Sequence, residues 1–152
     1  MFALNAVCIA ALLVAGVVSA NANVVHPLAT FGTWDLDRGE DEKGLPTCAA
    51  LLRDHMYVVM TDHVVAVTIG QPMRQIRVQF DDEQPTPLRA PSRDERSRKL
   101  VKFEGKMFEK LLKAHRIRIY ADLIGKAPMS IDFSIQGTQE AAAHVAAACK
   151  DI

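Results

Sequence analysis

The chain has 152 residues, with 18 basic and 18 acidic side chains, 49% apolar residues and 6% aromatic ones. That length suits one domain and leaves too little chain for two. Zero net charge speaks against nucleic acid as a partner, since that role needs a basic excess, and the apolar fraction is too high for a disordered chain.

Residues 1–20 carry no charged side chain, and the run from Ala6 to Ala20 is almost wholly apolar. It ends in small residues, where Val18-Ser19-Ala20 and Ala20-Asn21-Ala22 both fit a secretory cleavage site. We read residues 1–22 as a signal peptide, with the mature chain beginning at Asn21 or Asn23, and 23–152 as a single exported domain, periplasmic or secreted. The segment lacks the usual basic residue ahead of its apolar run. A retained membrane anchor is the alternative, because ~18–20 apolar residues can just span a bilayer. Membrane contact is expected only through this segment if it stays uncleaved.

Export changes the meaning of the three cysteines. Cys8 lies in the segment to be removed, leaving Cys48 and Cys149. In an oxidising compartment such a pair most often forms a structural disulfide. It would close a loop of about 100 residues, for which the chain-entropy model assigns ~4–5 kcal/mol. No C-x-x-C spacing points to redox chemistry instead.

The first half of the mature chain reads as strands. Phe31–Leu36 alternates around the single tryptophan, Trp34, and Thr47–Leu52 follows a Gly-Leu-Pro turn. Met56–Met60 and His63–Ile69 are β-rich runs separated by Thr61-Asp62, a hairpin pattern. Arg74–Phe80 alternates with Ile76, Val78 and Phe80 inward and Arg77 and Gln79 outward. A proline-rich stretch, 84–91, reads as an exposed loop. It leads into a basic segment, residues 89–118, which holds eleven basic and four acidic side chains.

The second half alternates strand and helix. Lys99–Phe103 is a short strand, and from Gly105 to His115 the period becomes helical, with Met107, Phe108, Leu111, Leu112 and His115 on one stripe. Arg116–Ala121 and Ser130–Ile135 return to period two around a Gly125–Pro128 turn. A last helix starts at Thr138, taken as its N-cap, with Ala142, Val145, Ala146 and Cys149 on an inner stripe. Cys149 so placed would reach Cys48 and clamp this helix onto the sheet. The expected fold is therefore α+β: an antiparallel twisted sheet or partial β-sandwich, covered by two helices and holding one disulfide.

No G-x-S-x-G elbow, phosphate-binding loop, dinucleotide fingerprint or H-E-x-x-H occurs, and no cofactor or catalytic residue is assigned. Binding is expected instead through the basic segment, where Lys106, Lys110 and Lys113 share a helix face and Arg116 and Arg118 share a strand face. These suit an anionic or acidic envelope partner. Two alternatives stand beside this reading. One is an exported hydrolase whose site does not show in sequence. The other is a copper-handling protein using His55, Met60 and His63, since imidazole and thioether ligands suit copper.

The layout resembles the small exported proteobacterial proteins of the invasion-associated-locus-B type. The resemblance rests on a signal peptide, Trp34 in a first strand, Cys48 in a second, and Phe133-Ser134-Ile135-Gln136-Gly137 leading into an alanine-rich helix. It departs where a further cysteine is expected just after Trp34, since Asp35-Leu36-Asp37 stands there. The resemblance implies location and fold, and a non-catalytic binding or accessory role.

Overall fold

β-branched and aromatic residues alternating with polar ones build the strands that make up the framework of the fold. The computed structural model describes residues 28–40, 43 and 46–148. The proposed signal peptide and Cys149 lie outside these residues. The strands are β1 (Ala29–Phe31), β2 (Trp34–Glu40), β3 (Pro46–Leu52), β4 (His55–Met60), β5 (Val64–Thr68), β6 (Met73–Phe80), β7 (Leu100–Glu104), β8 (Arg116–Leu123) and β9 (Met129–Ser134). The helices are α1 (Arg93–Arg98), α2 (Lys106–Lys113) and α3 (Thr138–Ala148).

Two antiparallel sheets result, ordered β1-β2-β3-β4-β5-β7 and β6-β8-β9. Their inner faces, with Trp34, Leu52, Val58, Met60 and Phe103 on one and Ile76, Phe80, Ile117 and Ile119 on the other, merge into a single apolar cluster. Phe80 meets Phe103 edge to face across it, with ring centroids 6.2 Å apart. The antiparallel α+β class matches the sequence reading, but the described residues hold three helices where two are expected.

The additional helix, α1, was hidden by its charge. Its sequence, RDERSR, has no apolar stripe, so periodicity is silent. Its start is instead written in Ser92-Arg93-Asp94-Glu95, where the Ser92 hydroxyl accepts from the Glu95 N–H and the Glu95 carboxylate accepts from the Ser92 N–H. The proline-rich strap ahead of it lies along β6: Ile76 and Arg89 exchange two backbone hydrogen bonds of 2.9 Å, and the Thr86 N–H donates to the Val78 carbonyl at 2.7 Å. Strap and helix thus cover the outer edges of β6 and β7.

At the other end, α3 covers the inner face of β1–β3. Ala141, Ala142 and Val145 are buried there, and their small side chains let helix and sheet approach closely. Thr138 is not the N-cap. Gly137 takes that place, its carbonyl accepting from the Ala141 N–H, while the buried Thr138 hydroxyl accepts from Trp34 Nε1 at 3.0 Å and donates to the Ile135 carbonyl. His144 stacks on Phe31 with centroids 4.2 Å apart. Arg38 Nη2 donates to the carbonyl of Ala148, the last described residue of the helix, and Arg38 is the cross-strand partner of Cys48.

The reading of Phe31–Leu36 as one strand is corrected by a turn at Gly32-Thr33. Gly32 (φ +57°) lies against the Gly137 backbone (φ +83°), so that a Cβ on Gly32 would sit 2.4 Å from the Gln136 oxygen and one on Gly137 2.5 Å from the Phe31 oxygen. Neither obstacle is a flexible side chain. Gly137→Ala should cost about 2 kcal/mol or more through clash and positive φ together. Gly125→Ala, at φ +72° with open space around it, should cost only about 1–2 kcal/mol. Urea unfolding of both variants checks this, and equal losses would refute the close approach.

Candidate binding face

Strand alternation directs one set of side chains of β6, β8 and β9 away from the core. The register places Gln79 beside Arg118 and Arg118 beside Asp132 in one cross-strand row, with Arg77, Tyr120 and Ser130 in the next. This outer face carries Arg74, Arg77, Arg116 and Arg118 against Asp122 and Asp132. At its end, the turn after β6 supplies Asp81, Asp82 and Glu83.

That acidic turn joins the two halves of the basic segment. Asp81 Oδ1 accepts from the His115 N–H at 2.9 Å and the Arg116 N–H at 2.8 Å. Those backbone bonds, the one from His115 foremost, hold its carboxyl below the usual range despite partial burial. Asp82 pairs with Arg116 at 2.9 Å and Glu83 with Lys110 at 2.5 Å. Arg116 also lies 3.8 Å from Asp132, which Arg118 Nη2 contacts at 2.6 Å. Of the five predicted binding residues, Lys110, Arg116 and Arg118 are therefore partnered by carboxylates. Lys106 and Lys113 have no acidic partner among the described residues. The helix stripe assigned to α2 holds for Phe108 and Leu111, which are buried, but His115 falls past its end and its side chain is 79% exposed.

Arg77 differs from its neighbours. Its guanidinium has no carboxylate partner among the described residues and stands over the Tyr120 ring, 5.0 Å from the centroid. Beside it opens a cavity of about 130 Å³ lined by Arg77, Val78, Gln79, Pro85, Arg118, Tyr120 and Ser130. Gln79 is held by the strap turn, donating from Nε2 to the Glu83 carbonyl at 2.9 Å, and its Oε1 accepts a long bond of 3.5 Å from Arg118 Nη1. Outward alternation identified Arg77 at once, but the facing strand and strap that make a cavity of it are long-range features.

A wider, open cleft of about 830 Å³ runs between the end of α2 and the start of α3, along Lys113, His115, Gln139 and Glu140. No hydrogen bond joins these side chains into a nucleophile–base pair. The copper reading is corrected by geometry. Met60 is fully buried on the inner sheet face. The His63 side chain is 76% exposed in the β4–β5 turn beside Asp62, and the His55 ring packs on Tyr57 and Phe133. These three do not converge. Among the described residues no group of three His, Cys, Asp or Glu is placed to hold a metal ion, and no helix is long and apolar enough to cross a membrane.

The comparison with solved structures then gives the fold a counterpart. The chain is similar to invasion associated protein B from Bartonella henselae. The match has a TM-score of 0.51 at 18% identity and covers 80% of this chain and 97% of that one. At that identity the likeness concerns the fold, and it agrees with the resemblance read from Trp34, Cys48 and the Phe133–Gly137 approach to the last helix. No family model matches the sequence, and no curated protein matches it.

Proposed function

We propose that the chain is an exported, non-catalytic accessory protein, periplasmic or secreted, that binds an anionic envelope partner through its basic flank. The observation that carries this reading is that Lys106, Lys113 and Arg77 have no acidic partner among the described residues, while Lys110, Arg116 and Arg118 are held by carboxylates. Lys106 and Lys113 on α2 and Arg77 on β6 are thereby left to meet external charge. The apolar leader and the fold likeness to an invasion associated protein support export and an accessory role.

The same reading includes a Cys48–Cys149 disulfide. Its support is local: Ala148, one residue before Cys149, is held by Arg38, and Arg38 faces Cys48 across β2 and β3. The bond would tie the end of α3 to β3.

Two measurements test the proposal. Intact mass and N-terminal sequencing of unreduced protein from the envelope fraction should give a chain starting at Asn21 or Asn23 and lacking both thiol hydrogens. Unprocessed protein confined to the cytosol would overturn the export reading, and two free thiols would overturn the bond. Binding of the protein to an anionic resin or vesicle should weaken steeply with salt. The double variant Lys106→Gln/Lys113→Gln should weaken it further, and salt-independent retention would overturn the electrostatic reading.

A further inference from the structure

We infer that the cavity between Arg77, Arg118 and Tyr120 is a site for a single phosphate-type oxyanion, either free phosphate or the terminal phosphomonoester of a lipid headgroup. The inference rests on the binding reading above and gives its partner a chemistry.

The donor set supports this. The Arg77 guanidinium is uncommitted to any carboxylate among the described residues, and the hydroxyls of Tyr120 and Ser130 make no hydrogen bond with them. Arg118 spends Nε and Nη2 on Asp132, at 3.0 and 2.6 Å, but holds Nη1 only by the 3.5 Å contact to Gln79. Unspent groups on the two neighbouring cross-strand rows are thus almost all N–H or O–H donors. Guanidinium forks match the geometry of a phosphoryl oxygen pair better than any other side chain does.

Size then selects among anions. A volume of about 130 Å³ is that of about four waters, well below the ~300–1,000 Å³ of sites that enclose drug-sized ligands. One tetrahedral oxyanion fits, and a nucleotide or sugar ring does not. Pro85 walls the side facing the strap, so the remainder of a larger ligand would leave over the open surface. Asp132 sits at the rim, engaged by Arg118, and sets a limit: its negative charge disfavours a ligand carrying several adjacent phosphates.

The experiment is an amide chemical-shift titration of the protein with inorganic phosphate at low salt, followed by flotation with phosphatidylcholine vesicles, with and without phosphatidic acid. Phosphate should shift residues 77–79, 118–120 and 130 saturably. Arg77→Gln should weaken that binding at least about tenfold through loss of charge-assisted bonds, while leaving the unfolding midpoint unchanged, and Tyr120→Phe should weaken it less. Phosphatidic-acid flotation that falls in parallel with Arg77→Gln assigns the headgroup as the source. Phosphate binding without R77Q-sensitive flotation assigns the free ion. If R77Q binds phosphate as the unaltered protein does, or the shifts fall elsewhere, the site is refuted. In that event salt-sensitive vesicle binding that still depends on Lys106 and Lys113 leaves the broader reading standing.

Discussion

Replacing Glu95 with glutamine should cost about 3 kcal/mol at neutral pH and flatten the acid side of the stability profile. Glu95 is 2% exposed. Its carboxylate accepts from Arg89 Nη1 and Nη2 at 2.7 and 2.8 Å, from the Ser92 N–H at 2.7 Å, and from the Lys102 N–H at 3.0 Å. One side chain thus fixes the proline strap, begins α1, and satisfies a backbone donor of β7. Burial pushes the Glu95 carboxyl up, but the two bonds from Arg89 and those from the Lys102 and Ser92 N–H groups outweigh it and bring it down to about 2. A group whose folded pKa lies below its unfolded one stabilises the fold above the unfolded value, and that contribution is lost as pH falls toward the folded value. The window therefore runs from about 4.5 down to about 2, and the difference corresponds to about 3 kcal/mol at 1.36 kcal/mol per unit. Urea unfolding at pH 7 and pH 3 measures it. Glu95→Gln should lose stability strongly at pH 7 and much less at pH 3, and equal losses at both would show that the charge contributes nothing.

The second large effect is expected at Trp34. Its ring is fully buried, and its Nε1 donates to Thr138 Oγ1 at 3.0 Å. Trp34→Ala should cost about 3–5 kcal/mol, a large part of the roughly 5–15 kcal/mol that stabilises a domain. Trp34→Phe keeps most of the apolar contact but removes the donor, and should cost about 1–3 kcal/mol. Because Trp34 is the single tryptophan, unfolding is followed by far-ultraviolet circular dichroism. A cycle of Trp34→Phe with Thr138→Val isolates the bond. If the two losses simply add, the indole–hydroxyl contact has no energetic role.

Local pattern made most of this molecule readable. The inward set Ile76, Val78 and Phe80 follows from strict alternation, and Phe108 with Leu111 from helical spacing. Reading failed where a residue's role is set by chain far away. Gly32 divides what looks like one strand because Gly137 lies against it, and Thr138 resembles a cap because the indole it meets is not nearby in sequence. The lysines and arginines of residues 89–118 suggested an open basic surface, but Asp82, Glu83 and Asp132, from other elements, occupy three of the five chosen cations. Glu95 was legible in principle, since Ser92-x-x-Glu95 is a helix-start signature, although its service to β7 was not. Alternation points Arg77 outward, but that it has no carboxylate neighbour among the described residues becomes apparent only once the sheet register is known.

Trp34 and the hydroxyl that receives its N–H are 104 positions apart, which sets the order in which the molecule can be finished. Until Thr138–Ala148 has arrived, the wall formed by Trp34, Leu36 and Ala50 has nothing to cover it. A nascent or prematurely terminated polypeptide lacking that tail is left with a bare greasy surface of the kind that aggregates.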